Sequence, residues 1–207
     1  MSTPSFGRSP SVRRAALLLA AFALADLPRA AGAEAPDRGK LLVASRGLRD
    51  PNFRETVILL LGYERDGAMG LIVNRPADVR LADVLRGVDD LATEEEIVFW
   101  GGPVTEGEVF VLLRAPEPPE GATRVFADVH ASRRIDLLRR LLAEDGPAPF
   151  RVFVGYAGWA PGQLDGEIER GDWHVLRADP GAVFDSAPEA EWDRLVPRDP
   201  TEIAQTR

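Results

Sequence analysis

Three short blocks carry the groups that could do chemistry. The first is Gly155-Tyr156-Ala157-Gly158-Trp159-Ala160-Pro161-Gly162-Gln163-Leu164-Asp165. The second is Gly101-Gly102-Pro103, and the third is Asn74 at the end of Gly70-Leu71-Ile72-Val73. Glycines let backbone N–H groups approach a ligand closely, and a strand that turns through them into a helix aims those donors at one spot. Gln163, Asn74 and Asp165 would add two amides and a carboxylate, and Trp159 a flat apolar face. The chemistry implied is recognition of a polar or anionic ligand by Asn74, Gly101, Gly102, Gly158, Trp159, Gln163 and Asp165. A structural reading stands beside each block. Asn74 fits an amide capping the turn before Arg75-Pro76. Gly101-Gly102 fits a sharp bend and lacks both the P-loop Lys-Ser/Thr and the Rossmann spacing. Asp165 fits the positive end of a helix, and Tyr156 and Trp159 fit packing roles.

Other chemistries are thinly supplied. The chain has no cysteine, so disulfides, thiolate nucleophiles and cysteine–metal sites are excluded. His130 and His174 are its two histidines, which leaves no multi-histidine metal site, and no cofactor is expected. His130 reads as a solvated residue ahead of an arginine-rich helix, and His174 as an exposed residue of a short strand. Ser45 has no GxSxG setting. An acid–base pair drawn from Asp50 with Asp165 or Glu167, beside Asn74, gives a hydrolase-like alternative. A structural or assembly protein of the envelope is a third reading, and it would show an exposed apolar patch.

The 207 residues, 45% apolar and 28% charged, suit one globular domain. Arg13-Arg14 followed by the apolar run Ala15–Ala25 and by Ala31-Gly32-Ala33 reads as a secretory signal over residues 1–33, cleaved before Glu34. The expected organisation is that leader, a linker over 34–38, a domain over 39–196 and a frayed tail over 197–207. The chain is then exported and periplasmic; a mis-assigned start codon would instead leave it cytoplasmic. The apolar run is too short to span a bilayer, and the mature chain holds no other candidate. Loss of residues 1–33 removes four basic residues and one acidic one, taking the net charge from −8 to −11. Such a surface repels phosphate backbones, so nucleic acid is disfavoured and the partner is a small molecule or a protein.

Strands outnumber helices in the pattern. Strands are expected at 40–45, 56–61, 70–74, 96–100, 109–113, 124–126, 150–154, 173–176 and 182–184. Glu64-Arg65-Asp66-Gly67 signals a hairpin, and Pro76 ends the strand before it. Helices are expected at 81–85, at 132–144 with Ile135, Leu138, Leu141 and Leu142 on one face, after Leu164, and at 188–196 with Trp192 buried. The acidic stretch 87–96 reads as solvated and 114–121 as an exposed connection. The fold class is α+β, with a mixed, largely antiparallel sheet.

Several blocks in order resemble the YqgE/AlgH family of bacterial proteins. They are Gly39-Lys40-Leu41-Leu42, Asp50-Pro51-Asn52-Phe53, Gly67 through Asn74, Gly101-Gly102-Pro103-Val104, Gly155 through Asp165, and Val183-Phe184-Asp185 followed by Trp192. They run from Gly39 to Val196. The resemblance implies a bent sheet curling into a partial barrel with flanking helices, in a family whose biochemical function is not established; the first reading of this chain is a non-enzymatic binding or regulatory module. One branch of the family carries the label of transcriptional regulator. No helix-turn-helix can be placed in this chain, and its charge opposes DNA. Where members often carry histidines, this chain has Tyr63 and Leu113-Arg114.

Overall fold

The computed structural model describes residues 35–85, 97–143 and 149–197. The expected leader over 1–33, the acidic stretch 87–96 and residues 198–207 lie outside the described residues.

The run Val57-Ile58-Leu59-Leu60-Leu61 shows how the sequence builds the sheet. Successive strand residues point to opposite faces, so a continuous apolar run needs cover on both. Val57, Leu59 and Leu61 join one core cluster with Leu41, Val43, Leu71 and Phe153. Ile58 and Leu60 join a second with Leu42, Ala44 and Ile72. Side chains such as Leu59, Leu71 and Phe153 are fully buried. Each contributes about 1.5–3 kcal/mol by leaving water.

The strands are β1 (Lys40–Ala44), β2 (Val57–Glu64), β3 (Gly67–Ile72), β4 (Pro76–Arg80), β5 (Ile97–Trp100), β6 (Val104–Arg114), β7 (Thr123–Phe126), β8 (Val129–Ser132), β9 (Phe150–Trp159) and β10 (Trp173–Arg177). Eight of them follow the order β10-β1-β2-β3-β9-β6-β8-β7, with β4 and β5 paired off that path. Every pairing is antiparallel except β5 with β9. The sheet curls into a half-barrel. Its far strand β7 comes back toward the entry of β1, for Gly39 at φ +75° meets Phe126, and Arg38 donates to the carbonyls of Leu61 and Arg124 at 2.9 and 3.5 Å. The first cluster fills the inner face.

The helices are α1 (Leu81–Val84), α2 (Ile135–Ala143), α3 (Gln163–Glu169), α4 (Pro180–Phe184) and α5 (Pro188–Leu195). α1 and α2 cover a third cluster with Val98, Val111, Leu113 and Val152. Leu164 and Ile168 of α3 cover the second cluster, and Ala182 and Val183 of α4 pack on the first.

Several expectations need correction. Residues 182–184 are helical, not a strand. Asp179 accepts from the Gly181 N–H at 3.3 Å and Pro180 stands at the first helical position, so the cap outweighs the apolar triplet. The chain forms a strand again from Pro76, where the sequence suggests only an end; Pro76 and Arg80 pair with Phe99 and Ile97. The hairpin signalled by Glu64-Arg65-Asp66-Gly67 did form, with Glu64 paired to Gly67 and the positive φ at Gly67.

Candidate functional site

The block Gly155–Asp165 does not turn at its first glycine, as the sequence suggested. β9 runs on to Trp159, and the turn is Ala160-Pro161-Gly162. Gly155 is a bulge at φ +68°. Before it, Phe153 faces the inner cluster and Val152 the outer one over α2. After it, Tyr156 faces inward while Ala157 and Trp159 face outward. One extra residue has reversed the alternation, which is what a bulge does. The neighbour changes at the same place. β5 pairs with Val152–Val154, and β3 pairs with Ala157–Trp159. Gly101 bridges the exchange, donating to the Val154 carbonyl at 2.8 Å and accepting from the Ile72 N–H at 2.9 Å. A Cβ on Gly101 would lie 2.3 Å from the Gly155 oxygen, and one on Gly102 2.3 Å from the Tyr156 carbonyl carbon. The two glycine blocks therefore meet, as the sequence suggested, in backbone contact at a sheet junction.

The bulge has a consequence for the inner face. It brings Tyr156 and Gly158 to the open end of the half-barrel. There Met69 lies opposite Gly62 on β2 and opposite Gly158 on β9. Two glycines flanking one methionine leave a trough across three strands. Val104 and Tyr156 wall one side, and Glu64 and Asp66 of the hairpin rim the other. The cleft has a volume of about 580 Å³, within the usual range for small-ligand sites. Trp159 contributes an edge only. Its indole is buried, stacks on Phe53 with centroids 6.2 Å apart, and donates to Glu167.

The remaining sequence-predicted residues lie elsewhere. The Asn74 carboxamide accepts from the Val57 N–H at 2.8 Å and donates to the Glu55 carbonyl at 3.0 Å. It also lines a second cleft, of about 320 Å³, with Glu55, Arg75, Glu189, Trp192 and Asp193. Gln163 accepts from the Ala160 N–H at 3.1 Å and donates to Glu167 at 2.9 Å. Asp165 accepts from the Tyr63 hydroxyl. Gly158 and Trp159 share the first cleft, which Asn74, Gln163 and Asp165 do not line.

A family model described as AlgH-like matches residues 41–203. The chain belongs to the AlgH-like family. It is 40% identical over 171 residues to a UPF0301 protein of Streptomyces avermitilis, covering 80% of this chain and 88% of that one. A UPF0301 protein of Paracoccus denitrificans is 41% identical over 161 residues, with 74% and 85% covered. The solution structure of the AlgH protein from Pseudomonas aeruginosa superposes with TM-score 0.65 at 30% identity, over 82% of this chain and 93% of that one. Protein DIP2367 of Corynebacterium diphtheriae gives TM-score 0.66 at 25% identity, over 81% and 91%.

In this AlgH-like chain both histidines depart from their expected settings. His130 is fully buried in β8, not solvated, and its Nε2 meets the Ala115 carbonyl at 2.8 Å. The strand is short and its apolar residues few, so sequence pattern alone merges it with the helix that follows. His174 in β10 is half-buried, not exposed, and that burial lowers its pKa below 6.5. Sequence reasoning also missed Met69, Tyr156 and Gly62 as cleft residues. The available signal was alternation continuing past Gly155, since apolar spacing resumed one residue out of phase marks a bulged strand. Arg75 was missed as well. It donates to the carbonyls of Asn52 and Arg54 at 2.7 and 2.6 Å and lies over Trp100. Burial lowers its pKa, as does the nearby Arg54 charge, with Glu55 opposing.

Proposed function

We propose that this chain is a non-enzymatic binding module whose ligand seat is the cleft over Gly62, Met69 and Gly158. One observation carries the reading: glycines on β2 and β9 strip the side chains from either side of Met69, at a point where the sheet's inner face opens to solvent. A strand interior without side chains is weaker, so glycine there fits a surface kept clear for an approaching group. Tyr156 supplies a half-buried ring beside it. The hydrolase alternative gathers less support. Asp50 binds the N–H of its own turn at Asn52, Asp165 is held by Tyr63, and neither lines the cleft that contains Asn74. The only large hydrophobic side chains exposed among the described residues are Val79 and Ile97, which gives the envelope-assembly alternative little area. The leader-like residues 1–33 support export; N-terminal sequencing of the periplasmic chain should start at Glu34, and a chain retaining Met1 in the cytoplasm would contradict it.

Isothermal titration against a metabolite panel tests the binding reading. The expected result is saturable binding of one chemical class, with the bound compound recovered intact. A compound consumed by catalytic amounts of the protein would overturn it.

A further inference from the structure

We propose that the occupant of this cleft is a small amphipathic cation, an ammonium or guanidinium group carried on a flat apolar body. The proposal rests on the binding-module reading above and adds the chemistry of the ligand.

The cleft divides by polarity. Its floor and one wall are Met69, Val104, Tyr156 and bare glycine backbone. The Tyr156 ring is fixed in place by an edge contact with Phe110 at 5.9 Å, and a Cβ on Gly158 would lie 3.3 Å from it. A flat apolar group fits against that ring and the polarisable Met69 sulfur. The opposite rim carries two carboxylates, Glu64 and Asp66, and no lining residue is basic. Arg65 lies between them in the turn but does not line the cleft.

Several surface carboxylates are offset by an arginine. Asp128 pairs with Arg114, Glu117 with Arg124, Asp136 with Arg134 and Asp172 with Arg170. Among the described residues Glu64 and Asp66 have no ion-pair partner. Negative charge without a basic partner at the rim, across the cleft from an aromatic wall, attracts a cation and repels an anion. The net charge of −8 acts in the same direction at longer range. The volume of about 580 Å³ suits a small molecule.

The sequence supplies its own reporter, because Met69 is the only methionine besides Met1. With the full chain labelled at methionine methyls, and the Met69 signal assigned through Met69→Leu, three probes share one ring and differ in charge: benzyltrimethylammonium, benzyl alcohol and benzoate. The ammonium should shift the Met69 methyl saturably and bind at least about tenfold more tightly than the alcohol, and benzoate should leave the signal unmoved. Glu64→Gln with Asp66→Asn, both exposed and safe for folding, should weaken the ammonium roughly fivefold and leave the alcohol unchanged. Equal shifts from all three probes, or tightest binding of benzoate, would overturn the cation while leaving the cleft as a binding site. No shift from any probe would also overturn it, and the binding-module reading would then be decided by the metabolite panel.

Discussion

At Glu167 one carboxylate meets three N–H donors: the indoles of Trp159 and Trp173 at 2.8 Å each, and the Gln163 amide at 2.9 Å. Removing the acceptor leaves two largely buried indole N–H groups unpaired, and an unmade buried hydrogen bond costs more than a made one contributes. Glu167→Ala should therefore lower the unfolding free energy by roughly 2–4 kcal/mol in urea titration, with Glu167→Gln losing less. His174 sets a pH prediction. Burial lowers its pKa from 6.5, so as pH falls the unfolded chain takes the proton first. The stability linked to this group is complete above 6.5 and is lost as pH drops through the depressed folded value. Urea midpoints measured between about pH 7 and pH 5 should fall less steeply in His174→Gln than in the wild type. An identical slope would remove the claim. At this scale little was legible beforehand. The sequence shows Gln163 four residues before Glu167 but cannot show that Glu167 meets two tryptophans from different strands.

At the scale of elements, Asn74 ties the end of the β3 segment to the entry of β2 through Val57 and Glu55. Asn74→Ala should destabilise the fold by about 1–3 kcal/mol. If the Asn74 amide serves this tie, the substitution should not change the affinity of any ligand in the cleft over Met69; an affinity change at constant stability would reassign it. Asp179 caps α4, and Asp179→Ala should cost about 1 kcal/mol, read as a shift in thermal midpoint. Long periodic segments were legible in the sequence. The 56–61 run and the apolar face around Leu138 rest on spacing alone, and both elements formed. β4 was not, because Pro76 lacks an N–H and Asp78 and Arg80 are polar, all at exposed positions whose strand geometry comes from pairing with β5. Tertiary pairing overrode local preference there.

Over the whole molecule, the signature glycines act chiefly on the sheet. Gly101, Gly102 and Gly155 let β9 exchange β5 for β3 and reverse its inward face. The glycine-rich blocks were legible as neighbours in space, but the reversal of phase was not, since it depends on which residue is extra. That reversal puts Tyr156 and Gly158 on the open inner face, so the junction and the proposed ligand seat are one construction. The most direct test is Gly62→Leu. A Cβ at Gly62 would meet nothing within 4 Å, so leucine can be accommodated while it fills the trough beside Met69. For the tightest ligand found in the metabolite panel, the affinity should fall about tenfold or more, while the unfolding free energy stays within about 0.5 kcal/mol of wild type. Unchanged affinity in a variant that folds as well as wild type would contradict the assignment of this cleft as the ligand seat.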